Sequence, residues 1–126
     1  MRILNNLISR FIKQLLIIIN TQYQCYYEEA PSSTSFPFLV VPFVSLSPLH
    51  NGYLALFDIY IYNNETSDIS IENISESLIG CLNNYSYCDE YIGFHVGFED
   101  GMLQKSTEQD LTIRKISFSA RIFRKE

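Results

Sequence analysis

Lysine and arginine are missing from most of this chain. Neither occurs between Gln14 and Gln104, whereas eleven carboxylates fall in that interval, and the formal net charge is −5. A protein that reads DNA normally presents a net basic surface. The charge balance therefore argues against sequence-specific nucleic-acid binding. The lysines and arginines lie in the first 13 positions and after Gln104. Near the end of the chain several of them alternate with apolar residues: Arg114, Lys115, Arg121, Arg124 and Lys125.

The chain also has few metal ligands and none of the common catalytic motifs. Its three cysteines (Cys25, Cys81, Cys88) show no CxxC spacing, and its two histidines (His50, His95) have no ligand-forming neighbour on the same predicted element. Neither a zinc site nor a disulfide framework is indicated, and free buried thiols are expected. No Gly-rich phosphate loop, GxSxG motif or paired Cys and His is present. We predict no catalytic, cofactor or metal site, and no enzyme activity.

Long apolar runs are absent from the sequence. The run at residues 15–19 is five residues long, whereas a membrane-spanning helix requires about 20. Residues 20–22 (NTQ) would also make a poor signal-peptidase site. An intracellular protein without a membrane span is therefore expected.

Apolar residues are nevertheless plentiful. The 126 residues are 47% hydrophobic and only 18% charged, a balance typical of a chain that folds around one core. We expect a single domain over residues 1–126.

The N-terminal segment predicts an amphipathic helix over residues 2–20, because apolar residues recur there at i, i+3, i+4 and i+7. A helix lying on a membrane surface is the alternative, although its polar face carries few cations. The helix is expected to dock on a sheet face that bears Phe57, Ile59 and Phe118, through four apolar side chains: Leu7, Phe11, Leu15 and Ile19.

Several β-strands are predicted before the second helix. Residues 23–27 and 36–46 are β-prone, with Pro37 and Pro42 placing the second segment at an edge or bulge. Residues 47–52 are predicted to form a turn. Residues 52–62 alternate as a strand with one buried face.

A second helix is predicted to start at an N-cap, Ser67 or Asp68, and to run to about Leu82. Its apolar stripe contains Ile71, Ile74, Leu78 and Leu82, and a line of like charges contains Asp68, Glu72 and Glu76.

The C-terminal third is predicted to be all β. Residues 91–98 and 102–106 flank Asp100-Gly101, which predicts a hairpin. The last strand, residues 111–124, buries Ile116, Phe118, Ala120 and Ile122 and exposes the alternate positions from Ser117 to Phe123. Leu111 and Ile113 are out of phase with that set, which predicts a bulge near Arg114 and Lys115. The fold class is α+β: an antiparallel or mixed sheet with two helices packed on one face.

Two short motifs and the order of the elements carry a family resemblance. An aromatic strand leads into an acid-Ala-Pro loop at residues 26–31 (YYEEAP), and a Pro-aromatic strand follows at 36–41 (FPFLVV). An amphipathic helix precedes them, and an apolar strand, a helix and a last strand with a basic end follow. In this order the chain resembles the tail-completion, or tail-terminator, proteins of long-tailed bacteriophages and prophages.

The resemblance implies a structural role in the virion. Similar proteins form a ring, usually of six subunits, that stops tail-tube polymerisation and presents a surface to the head connector. The implied partners are other copies of this chain, the major tail protein and the head-completion or connector protein. The implied location is the head-proximal end of the tail, with the host cytoplasm as the site of assembly. No cofactor and no membrane is implied.

The separated charges suggest where such subunits would meet. A head-to-tail ring joins two different patches of one subunit, and opposite charges favour that contact. The candidate subunit interface places Glu72 and Glu76 of one copy against Arg121 and Arg124 of the next. Alternatively, these groups pair within one subunit or face water.

Two other function classes compete with the ring. A small acidic interaction or inhibitor protein encoded by a virus would act on a host protein as a monomer or dimer. An enzyme accessory subunit is the third class.

Overall fold

The computed structural model describes residues 2–64, 70–99, 104–108 and 111–124, and the side chains of residues 7–64, 70–99 and 111–123. It confirms the α+β class. The elements are α1 (Arg2–Ile19), β1 (Cys25–Tyr27), β2 (Phe38–Val41), β3 (Val44–Leu49), β4 (Gly52–Asn64), α2 (Ile71–Leu82), β5 (Ser86–Cys88), β6 (Ile92–Phe98), β7 (Gln104–Glu108) and β8 (Leu111–Arg124).

All eight strands form one mixed sheet in the order β1-β2-β4-β8-β6-β5, with β3 also paired to β4 and β7 also paired to β8. The pair β1–β2 is parallel, and the other pairs are antiparallel. The two longest strands, β4 and β8, pair in one unbroken register from Tyr53 opposite Ile122 to Asn64 opposite Leu111. This central pair is the frame on which the other elements pack.

The strand predicted over residues 36–46 is two strands. β2 and β3 pair one after the other with the same edge of β4, and the break falls at Pro42-Phe43. Proline has no N–H to give to a ladder, so a strand that contains it is readily interrupted. The turn predicted at residues 47–52 is also wrong in extent, because β3 continues to Leu49 and only His50 and Asn51 connect it to Gly52.

The predicted hairpin between residues 91–98 and 102–106 is wrong. β6 and β7 do not pair with each other. They pair in succession with the edge of β8 that β4 leaves free, Phe98 opposite Phe118 and then Gln104 opposite Lys115. The Asp-Gly signal is local, whereas the pairing of β6 with β8 buries Ile92, Phe94 and Val96 and therefore prevails. Asp100 and Gly101 themselves lie outside the described residues.

Helix α1 packs on the sheet as predicted. Leu7, Phe11, Leu15 and Ile19 are all buried. The Phe11 ring meets the Phe57 and Phe94 rings edge-on, at centroid distances of 5.7 and 4.9 Å. The apolar face of α1 is therefore part of the core, and among the described helices none is long and apolar enough to cross a bilayer.

Helix α2 covers the same face of the sheet, and its predicted apolar stripe is buried: Ile71, Ile74, Leu78 and Leu82. Its N-cap is Ser70, whose hydroxyl accepts a hydrogen bond from the Glu72 N–H at 3.1 Å. The predicted caps, Ser67 and Asp68, lie three and two residues before the observed one. Ser67 and Asp68 lie outside the described residues, and of the predicted line of like charges Glu72 and Glu76 are the two that the structure places on α2.

Strand β8 has no bulge near Arg114, because its register with β4 is continuous there. Ile116, Phe118, Ala120 and Ile122 are buried as predicted, but Ser117 is buried as well. The Ser117 hydroxyl donates to a carboxylate oxygen of Asp58 at 2.5 Å across the sheet, which accounts for both polar groups. The apparent change of phase has another cause: a charged residue, Arg114, occupies a core-facing position opposite Ile61.

Gly52 is required by the close approach of β4 to β8. A Cβ atom at this position would lie 2.1 Å from the Ile122 carbonyl oxygen, a backbone atom that cannot move alone. We expect Gly52→Ala to lower the free energy of unfolding by about 1 to 3 kcal/mol, as overpacking does. The matched control is Gly80→Ala in α2, where a Cβ meets nothing within 4 Å and alanine should add up to about 1 kcal/mol. Urea denaturation of both variants measures the difference, and equal effects would contradict this account.

Candidate assembly surface

The candidate interface residues lie on two different sides of the sheet. Glu72 and Glu76 are on α2, which packs on the covered face with Ile61 and its neighbours. Arg121 is in β8 between Ala120 and Ile122, both buried, so its exposed side chain points to the opposite face. Within one subunit these glutamates and Arg121 are therefore held apart by the sheet. The side chain of Arg124 lies outside the described residues.

Glu72 has a partner within its own chain. Its carboxylate forms an ion pair and hydrogen bond with the Arg114 guanidinium, whose side chain is only 10% exposed. Arg114 Nε is buried and has no hydrogen-bond partner among the described residues. Glu76 and Arg121 are both exposed. Glu72, one of the four predicted interface residues, is therefore already paired inside the subunit. Its partner, Arg114, is the residue near which the sequence pattern predicted a bulge.

The face of the sheet opposite the helices, here called the open face, has no helix on it in the described part of the chain. Large apolar side chains reach solvent there, including Leu56 and Phe123, which are 44% and 45% exposed. Leu49, which is 41% exposed, pairs with Gly52 of β4 at the end of the sheet where Phe123 lies. An exposed apolar surface of this kind is typical of a binding surface.

One end of the open face holds a groove of 340 Å³, here called the aromatic groove. One side is a ladder of three rings: Phe36 stacks on Phe38 at 5.4 Å, and Phe38 stacks on Tyr62 at 5.0 Å. The pairing of Phe38 with Tyr62 across β2 and β4 sets the second contact. The rest of the lining comes from Val40 and the loop after β1: Glu28, Glu29, Ala30, Pro31, Ser32 and Thr34.

Hydrogen bonds hold the loop that shapes the aromatic groove. The Gln24 amide donates to the carbonyl oxygens of Ser35 and Pro37, at 2.6 and 3.0 Å. Glu28 adopts a positive φ of 71° and donates its N–H to the Val41 carbonyl at 2.8 Å. The carboxylates of Glu28 and Glu29 are exposed beside the groove. Burial, with the adjacent Glu28 charge, raises the pKa of the Tyr27 hydroxyl.

The opposite end of the open face holds a second surface, here called the basic corner: Arg121 and Phe123 of β8 with Leu49 and His50 beside them. Arg121 and Phe123 are two residues apart and therefore point the same way. Arg124 and Lys125 follow in the sequence. Among the described Lys and Arg residues on this face, only Lys115 lies nearer to the aromatic groove than Arg121 does. Lys115 is two strands away from Val40 in the groove, a distance of about 10 Å between the strands.

One hydroxyl lies beside a histidine ring among the described side chains. Ser86 Oγ and His95 Nδ1 lie 2.6 Å apart at an exposed strand pair, but among the described side chains no carboxylate bonds to the ring to orient it. In the same part of the chain no group of three or more His, Cys, Asp or Glu could hold a metal ion. The expected burial of the thiols holds for Cys25 alone: its burial raises its pKa to about 12, whereas Cys81 is half-buried and Cys88 is exposed.

Sequence reasoning missed the aromatic groove as a surface. The YYEEAP and FPFLVV segments predict strand and loop, and no local feature of either segment predicts a binding surface. Phe36 precedes β2, so strand alternation does not place its ring beside that of Phe38. Contact with Tyr62 depends on the pairing of β2 with β4, which no local pattern specifies.

Comparison with known proteins adds no family assignment. No protein-family profile matches the chain, and no curated protein matches it significantly.

Proposed function

We propose that this protein is a structural tail-completion, or tail-terminator, subunit of a long-tailed bacteriophage or prophage. Copies of it form a ring that caps the tail tube and joins it to the head connector. Its partners are itself, the major tail protein and the head-completion or connector protein. Assembly takes place in the host cytoplasm, and the ring resides at the head-proximal end of the tail.

One observation carries the proposal. The two segments that give the family resemblance, residues 26–31 and 36–41, come together at one end of the open face and line the aromatic groove. Much of this motif is thus placed where a partner could reach it: Phe36 and Phe38 are only partly buried, and both glutamates are exposed. A role in packing alone would not require exposed glutamates beside stacked rings.

The order of elements gives further support. The amphipathic α1 comes first, the long strand β4 is followed by α2, and the long strand β8 comes last, as in the family that the sequence resembles. A sheet with one covered and one open face also leaves a broad surface free for neighbours in a ring.

Light scattering coupled to size-exclusion chromatography tests the ring directly. We expect the purified full chain to form one closed oligomer, with a mass that is a fixed integer multiple of 14.6 kDa and does not grow further with concentration, because closed rings cannot add subunits. Negative-stain electron microscopy should show annular particles.

A chain that stays monomeric or dimeric up to millimolar concentration would contradict the proposal. That outcome would favour the small acidic interaction protein, which needs no ring. A mass that keeps rising with concentration would indicate an open filament, and would also count against a ring.

A further inference from the structure

We infer that the aromatic groove of one subunit receives the basic corner of a second copy of this chain, so that Arg121 and Phe123 of one copy contact Glu28, Glu29 and the Phe36–Phe38–Tyr62 ladder of the next. This inference rests on the proposed function, since it assigns the two surfaces through which the ring would close.

Chemical complementarity is the first argument. A guanidinium group stacks favourably on aromatic faces and pairs with carboxylates. The aromatic groove supplies three stacked rings and two exposed carboxylates side by side. The basic corner supplies one exposed Arg and one exposed Phe on the same face of β8. Each surface thus holds both an apolar and a charged element that the other can match.

Geometry identifies the occupant as another copy. Ile113 of β8 lies opposite Tyr62 of the groove. Arg121 is eight residues further along β8, and this separation is about 26 Å along the strand. The groove is also displaced sideways, since Phe38 lies on the strand beyond Tyr62. Phe38 and Tyr62 of the groove and Arg121 of the corner belong to paired strands of one sheet, so the basic corner of a subunit cannot reach its own groove. Two different patches at opposite ends of one face give a head-to-tail contact, which can close into a ring.

The charge map favours this pairing over the interface first predicted from the sequence. Glu72 is engaged by Arg114 within the subunit, which leaves Glu76 as the one exposed and unpaired glutamate of that set. Glu28 and Glu29, by contrast, have no ion pair among the described residues. Glu76 therefore serves as the matched comparison for the glutamates of the groove.

Two surface variants test the contact. One carries Arg121→Glu, and the other carries Glu28→Arg with Glu29→Arg. Each should weaken assembly of the full chain by about 100-fold or more in dissociation constant, because like charges would meet across the interface. Sedimentation velocity measures the effect. Circular dichroism and the melting temperature should stay near those of the parent, since all three positions are exposed. Glu76→Arg is the control and should assemble normally.

Mixing the two variants gives the sharper result. Arg121→Glu keeps an intact groove, and the groove variant keeps an intact basic corner, so these two surfaces can form the parental contact. The reversed corner of the first variant and the reversed groove of the second also carry opposite charges, so alternating copies can join at both ends. An equimolar mixture should therefore assemble beyond twice 14.6 kDa, although each variant alone does not. A single chain with all three reversals should again form the full oligomer.

The outcomes separate this inference from the proposed function. If the parent forms a ring but the groove variant also does, the groove assignment is wrong and the ring stands. If Glu76→Arg breaks the ring while the groove variant does not, the interface lies on α2. If the parent never assembles, both the inference and the proposed function fall.

Discussion

Replacing Phe11 by alanine should remove about 3 to 5 kcal/mol from the free energy of unfolding, the usual cost of truncating a fully buried Phe. The Phe11 side chain is completely buried and contacts the rings of Phe57 and Phe94. Its loss would leave a cavity between α1 and the middle of the sheet, where the surrounding strands cannot close in. Urea unfolding followed by circular dichroism measures the change.

Ile17 provides a matched control on the same helix. Its side chain is 52% exposed, so Ile17→Ala should change the free energy of unfolding by less than about 0.5 kcal/mol. Equal losses for Phe11→Ala and Ile17→Ala would show that α1 is not held by its apolar face. A small effect of Phe11→Ala alone would remove α1 from the core and revive the membrane-surface interpretation.

Removing the counter-charge of Arg114 should have the second largest effect. Glu72→Gln keeps the shape of the side chain but leaves a guanidinium that is nine-tenths buried without its ion pair. Breaking a buried pair in this way costs about 3 to 5 kcal/mol. Because the Glu72 side chain is 55% exposed, water moderates the loss, and we expect about 2 to 3 kcal/mol.

The second substitution at this pair should reverse the loss. In the double variant Glu72→Gln with Arg114→Met, an apolar side chain of similar length replaces the buried charge. Stability should return to the parental value or exceed it, because an apolar replacement of a buried ion pair is often neutral or stabilising. Glu76→Gln, one turn later and exposed, is the control and should stay within about 0.5 kcal/mol of the parent. Strictly additive single effects would show that the two residues do not interact.

Local periodicity predicted the elements whose burial is uniform. Helix α1 and strand β4 were placed almost to their ends, because Phe11 and Leu15, and likewise Phe57 and Ile59, repeat at the spacing of one buried face. The choice of one face for both helices was also right, since only one side of β4 is consistently apolar. These features depend on residues close together in sequence.

The remaining features depend on partners far apart in sequence. The apolar residues just before Arg114 predicted a bulge because they are out of phase with the buried positions that follow, whereas in the structure Arg114 itself is buried in an unbroken strand. Its partner, Glu72, is on α2, and only the folded chain brings the two together. The Asp-Gly pair predicted a hairpin that long-range pairing of β6 and β7 with β8 overrides. The aromatic groove likewise requires the β2–β4 register before Phe38 meets Tyr62.

The central position of β8 also determines when this fold can form. Every other described element precedes β8 in sequence, yet β8 lies between β4 and β6, and its residues pair with partners as distant as Tyr53. Contacts across such separations carry a large loop-closure entropy and slow the folding of β-rich domains. During synthesis the N-terminal half can form its helix and its β3–β4 hairpin, but the edge of β4 must wait for a strand that emerges after all the others. Until then Phe57 and Ile59 lack half of their sheet, and the nascent chain exposes an unpaired apolar edge that is prone to aggregation.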